Sequence, residues 1–220
     1  MITPDEIIRS ARKTLSVSVD CFGKVTVRAP RRLDEKRILA FVQEKESWII
    51  KQKRKTAVAG ICLPPENLLG YEFLLLGEKH KIAAISGVRV SYDNENKTLV
   101  LPAKNPKDRL VKWLKENALR IFCEITERRA KEMGVAVQSV KITSARRKWG
   151  SCSGKDEIRY SFRLLYAPKE VIDYVVVHEL AHVRHKNHSA AFWNEVARFV
   201  PDYKTKRQWL KARAALAHVF

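Results

Sequence analysis

HELAHVRHKNHSAAFW, residues His178–Trp193, holds four of the chain's six histidines. On an α-helix, His178 and His182 project from one face about 40° apart, one turn from each other. Two imidazoles so placed can reach one tetrahedral Zn²⁺, leaving the remaining positions for another side chain and water. Glu179 lies about 100° round from His178. It is near such an ion but poorly aimed to ligate it, and suited instead to take a proton from water. The preceding Tyr174, Val175, Val176 and Val177 give this helix an apolar approach. Two histidines and a glutamate on a largely buried helix are costly without a metal or partners.

The third ligand depends on where the helix stops. In an unbroken helix His185 returns to within about 20° of His178 but farther along the axis, and His188 points about 80° away. Asn187 tolerates a left-handed turn, and Ser189 is a good N-cap for the following AAFWNEVARFV. A helix ending near His185 or Lys186 would let His188 swing back. His188 is therefore favoured, ahead of Glu195 and then His185.

Outside this stretch the chain reads as a folded protein of 220 residues, 45% apolar and 30% charged. No apolar signal segment opens it, and no apolar run is long enough to span a bilayer. Cys21, Cys62, Cys123 and Cys152 are scattered without a C-x-x-C pair, which fits reduced thiols. A cytoplasmic protein without a membrane partner is the expectation. The net charge of +19 attracts polyanions or acidic partners, although a solubilising surface explains it as well.

LSVSV and KVTVRA, around Asp20–Gly23, alternate with period two and predict a β-hairpin. Residues 33–55 space Ile38, Phe41, Val42, Lys45, Trp48 and Ile49 as one amphipathic helix. Tyr71–Leu101 reads as a meander of short strands, and Pro102–Pro106 as a boundary. A long helix then runs over about residues 107–133 to a stop at Gly134, followed by a strand in SVKITSA and a returning strand in EIRYSF. Helices follow from Pro168, Ser189 and beyond Pro201. Between the two strands, KWGSCSGK offers Trp149, Ser151 and Cys152 as candidate substrate contacts on a strand edge, or forms a plain hairpin. A nucleophilic Cys152 is discounted, since activated water already supplies a nucleophile. Phe192 and Trp193 fall at core spacing, Asp173 points away from the histidines, and the isolated His80 and His218 read as surface residues.

The segment KWGSCSGKDEIRYSFRLLYAPKEVIDYVVVHELAHVRHKNHSAAFWNEVARFVPDYKTKRQWL, Lys148–Leu210, resembles the YgjP-like metal-dependent hydrolases, relatives of the SprT and WLM zincin peptidases. W-G-S-C, A-P, D-Y-V-V-V-H-E-L-A-H, N-H-S-x-x-F-W and P-D-Y carry the likeness, and VTVRAPRR and W-I-I-K-Q extend it toward the N-terminus. One departure is Tyr160–Ser161–Phe162, where the family usually has L-N-W.

The resemblance implies a zinc-dependent hydrolase acting on peptides or proteins, with His178, His182 and His188 as ligands and Glu179 as catalytic base. Its SprT relatives suggest the alternative of a nucleic-acid-associated peptidase or basic binding module. The fold expected is α+β. Residues 1–103 would form a β-rich domain with one long helix, and residues 104–220 a zincin-like helical domain with a small β-hairpin or sheet.

Overall fold

The structure is a computed structural model that describes residues 2–19, 24–57, 68–214 and 216. Among these residues the chain is α+β, with six helices and three small sheets. By compactness it divides into Met1–Ile61 with Ala212–Ala215, and Cys62–Lys211 with Leu216–Phe220. No helix among the described residues is long and apolar enough to cross a membrane.

The first unit contains the hairpin read from the sequence, β2 (Ser16–Val19) antiparallel to β3 (Val25–Pro30). It also contains β1 (Glu6–Ser10), which pairs parallel to β3 and was not foreseen. Strand alternation sends Val25, Val27 and Ala29 to one face, where they bury against Ile38, Val42 and Ile49. Of β1, Ile7 packs on this core. The expected single helix is two, α1 (Glu35–Glu44) and α2 (Glu46–Ala57). The break is at Lys45, whose N–H is shared between the carbonyls of Phe41 and Val42 at 3.2 Å each.

In the second unit, β4 (Glu72–Leu75), β5 (Glu78–Ile85), β6 (Ser91–Asp93) and β7 (Thr98–Leu101) form a sheet ordered β4-β5-β7-β6. It is not the expected meander: β7 inserts between β5 and β6 and runs parallel to β5. His80 on β5 is buried rather than exposed. Its Nδ1 is 3.0 Å from the Glu78 carbonyl, and its Nε2 is 2.9 Å from the Tyr92 hydroxyl. His218 lies outside the described residues.

Helix α3 (Pro106–Met133) ends at Gly134, as its apolar period and glycine stop predict. It buries Leu110, Leu114, Ala118, Phe122, Thr126 and Ala130, a ridge with four-residue spacing. Beyond it, β8 (Ser139–Thr143), β9 (Gly150–Cys152) and β10 (Glu157–Ser161) form a sheet ordered β8-β10-β9. Strand β10 runs parallel to β8, and β9 is its antiparallel partner at the sheet's edge. A 3₁₀ turn at Phe162–Tyr166 leads into α4 (Lys169–Arg184), followed by α5 (Ala190–Phe199) and α6 (Tyr203–Ala212).

Two contacts fix α4, the helix with the paired histidines. The tip of the β4–β5 hairpin presses on its entry: the Leu76 N–H donates to the Leu165 carbonyl at 2.7 Å. Gly77, at φ +83°, lies so close to Pro168 that an added Cβ would meet its Cα at 3.0 Å. On α3, Arg129 makes a two-pronged pair with Asp173 of α4, its Nε donating at 2.8 Å, and Arg128 adds a third bond at 3.3 Å. Asp173 thus ties two helices together and does not reach the histidines.

Candidate metal centre

Helix α4 buries Val171, Ile172, Val175, Val176, Val177, Leu180 and Ala181, which places His178 and His182 along the rim of its buried face. The helix stops at Arg184, and the His185 N–H closes the last turn on the Ala181 carbonyl. The chain then reverses. Asn187 Oδ1 accepts the Ser189 N–H at 3.2 Å, and the Ser189 hydroxyl accepts the Phe192 N–H at 3.4 Å as N-cap of α5. The turn expected at Asn187 therefore exists, but through a side-chain hydrogen bond. Asn187 is not among the residues with positive φ.

This reversal brings His188 back to the helix. One ring nitrogen from each of His178, His182 and His188 lies within 4.8 Å of the others, a donor set that could hold a metal ion. The Nε2 atoms of His178 and His188 are 3.2 Å apart. His182 donates from Nδ1 to the His185 carbonyl at 2.9 Å, which leaves its Nε2 lone pair free to face an ion. His185 contributes that carbonyl and stays outside the cluster. Glu195 is also outside, bound to Arg184 at 2.5 Å.

Aromatic rings hold the imidazoles in place. Phe192 has its ring centroid 4.9, 4.5 and 4.7 Å from those of His178, His182 and His188. Tyr174 and Trp193 flank His178 at 5.9 and 5.7 Å. Phe192 is fully buried, as its spacing predicts, yet it also lines the cluster. His178 Nδ1 is buried with no hydrogen-bond partner among the described residues, so aromatic packing and the Nε2 contact with His188 orient that ring. Burial, with His182, His188 and Arg207 adding to it, holds the His178 imidazole down at about 3, and burial lowers His182 as well. Both rings are thereby kept neutral, the form that ligates metals.

Glu179 is 5% exposed and faces β9. Burial pushes its carboxyl up to about 8, against the opposing pull of Lys148 and of a backbone hydrogen bond from Cys152. The strand accommodates it through Gly150, where an added Cβ would meet Glu179 Oε1 at 2.6 Å, Cγ at 2.7 Å and Cδ at 2.8 Å. Gly150 is a site residue that sequence reasoning did not single out. A glycine inside a strand is the available signal for such a close approach.

Strand alternation sorts the other candidates. The Ser161 N–H donates to the Trp149 carbonyl, and the Ser153 N–H to the Glu157 carbonyl. The N–H and C=O groups of Gly150 and Cys152 therefore point away from β10, along the sheet's outer edge. Cys152 shares a face with Gly150, while Ser151 points to the opposite face. Burial raises the Cys152 thiol, which leaves it protonated and unsuited to nucleophilic attack.

A model of the YgjP-like family, metallopeptidase domain, matches residues 13–213. Among solved structures, the chain is similar to the crystal structure of the metallopeptidase zymogen of Pyrococcus abyssi abylysin. That match is 24% identical with a TM-score of 0.38, and covers 41% of this chain and 92% of the other. The zymogen of Methanocaldococcus jannaschii jannalysin matches at 19% identity and a TM-score of 0.36, covering 40% and 94%. No curated protein sequence matches significantly. The family match spans nearly the whole chain, and the chain belongs to the YgjP-like family as a metal-dependent peptidase.

Proposed function

We propose that the enzyme is a zinc peptidase in which His178, His182 and His188 hold the ion and Glu179 is the general base. The separation of the His178 and His188 Nε2 atoms carries this reading. Two nitrogens about 2.05 Å from a tetrahedral zinc lie about 3.3 Å apart, against the 3.2 Å found between these two. Two neutral imidazoles bring lone pairs so close only when a proton or a cation sits between them. Three imidazoles and no thiolate leave a fourth position open, the composition of a catalytic rather than a structural zinc site.

Zinc in that position supplies Lewis acidity, which polarises the scissile carbonyl and makes water a nucleophile near neutral pH. The chain's own groups do the rest. The His185 carbonyl fixes the His182 tautomer, and the aromatic wall around His178 keeps bulk water from that ring. Glu179 takes the proton from the attacking water and passes it to the leaving amine nitrogen. Its burial against Gly150 suits it to gain and lose a proton near neutrality. The outward backbone groups of β9 supply an edge on which an extended peptide pairs, through the N–H and C=O of Gly150 and the C=O of Cys152, whose N–H is held by Glu179, rather than through the side chains of Trp149 and Ser151.

The test compares wild type with Glu179→Gln. The variant should keep about one zinc per chain, a three-ligand site being intact. It should lose peptide turnover by at least about 10²-fold. A Glu179→Gln enzyme that still turns over at the wild-type rate refutes the assignment.

A further inference from the structure

Helices α5 and α6 build an aromatic shelf beside the three imidazoles, and its far end is a cation. The Trp193 ring lies 5.7 Å from His178 and 5.6 Å from His188. On Trp193, Tyr203 stacks at 5.2 Å with an interplanar angle of 17°, and the Arg207 guanidinium lies 4.9 Å from the ring centroid. Tyr203 and Arg207 are four residues apart, so one face of α6 presents both.

Arg207 differs from Arg184 and Lys186, the cations that flank the cluster at the end of α4. Arg184 is bound to Glu195 and to the carbonyls of Met133 and Gly134. Lys186 is bound to Asp156 at 2.5 Å. Arg207 is exposed, and among the described residues its guanidinium has no hydrogen bond or carboxylate partner. A guanidinium held on an indole has lost much of its rotamer freedom already, yet keeps its N–H donors available. Such a fork fits a carboxylate, which takes two parallel hydrogen bonds. Peptide substrates supply that group only as an Asp or Glu side chain or as the C-terminal carboxylate.

We infer that Arg207, positioned by Trp193 beside the His178–His182–His188 cluster, determines specificity by receiving a carboxylate of the peptide substrate. The inference rests on the metal centre proposed above. It makes the enzyme selective for peptides with an acidic side chain near the scissile bond or with their free C-terminus close to it.

The test gives the zinc-loaded full chain a proteome-derived peptide library, once as free acids and once amidated at the C-termini, with cleavage read by mass spectrometry. Enrichment of Asp or Glu in both forms identifies the side chain, and cleavage restricted to the free acids identifies the terminus. In matched peptides, replacing the carboxylate by its amide should lower kcat/KM about 10- to 100-fold, mainly through KM. In Arg207→Gln the ratio between acid and amide peptides should fall to about one, and Arg207→Lys should restore part of it, with zinc content unchanged in both. In parallel, zinc-loaded Glu179→Gln with and without Arg207→Gln is used to capture uncleaved peptides from the same library, so the outcome does not depend on turnover. Absence of carboxylate enrichment, or an enrichment that survives Arg207→Gln, overturns the inference. Failure of the metal centre is distinguishable, because it appears as zinc retained by His178→Ala whatever Arg207 does.

Discussion

Replacing Gly150 by alanine is the sharpest test of the packing around Glu179. The glycine does not have a positive φ, so alanine meets no backbone strain there and the effect is purely one of contact. The new methyl would lie 2.6 Å from Oε1, 2.7 Å from Cγ and 2.8 Å from Cδ of Glu179. Non-bonded carbons sit at about 3.5–4.0 Å, so either the carboxyl or β9 must retreat by about 1 Å. Cγ as well as the carboxyl is involved and Glu179 is buried, so a simple rotation of the side-chain end does not relieve the clash. A displacement of that size at the proposed general base should cost about 10²-fold in rate. Overpacking costs about 1–3 kcal/mol of stability, or a Tm lower by roughly 2–10 °C in a protein of this size. The assay is kcat/KM on a cleaved peptide, with zinc content and thermal unfolding measured on the same preparation. Zinc should be retained, since no histidine is touched, and the loss should fall on kcat. Wild-type kcat in Gly150→Ala, with Tm unchanged, would show that Glu179 does not depend on this close approach.

Three further outcomes follow from the same geometry. Asp173→Asn breaks the two-pronged pair with Arg129, whose side chains are 17% and 21% exposed; stability should fall by about 1–3 kcal/mol, read by denaturant titration, with zinc content unchanged. Ser189→Ala removes the cap that turns the chain back after His188 and should cost about 1 kcal/mol; chelator competition should then show faster zinc loss than in wild type. Chelation of the wild type should abolish peptide cleavage while far-ultraviolet circular dichroism keeps its helical signal, because α4 is held by its apolar face and by Asp173 rather than by the ion alone.

What could be read from the sequence was local. The four-residue step from His178 to His182, the helix stop at Gly134 and the helix starts at Pro168 and Ser189 are fixed by neighbours a few residues away, and all recur in the structure. The return of His188 was legible because Asn187 and Ser189 are turn and cap formers, although the device proved to be a side-chain hydrogen bond rather than a left-handed residue. The sheet β4-β5-β7-β6 was not legible, since the parallel pairing of β5 with β7 depends on register across a gap and leaves no periodic trace. Strand β1 escaped because EIIRS has a weak alternation, with Ile7 alone reaching the core. His80 was misread as exposed because its partners, Phe73 and Tyr92, come from other strands. The approach of Gly150 to Glu179 joins residues 29 positions apart, and only the packing of β9 on α4 reveals it.

Zinc stoichiometry across four alanine variants shows most directly which histidines hold the ion. Wild type should carry about one zinc per chain. His178→Ala, His182→Ala and His188→Ala should each carry far less. His185→Ala should keep its zinc, because the group that holds His182 is the His185 backbone carbonyl. Zinc retained by His188→Ala, or lost from His185→Ala, would contradict the ligand set His178, His182 and His188.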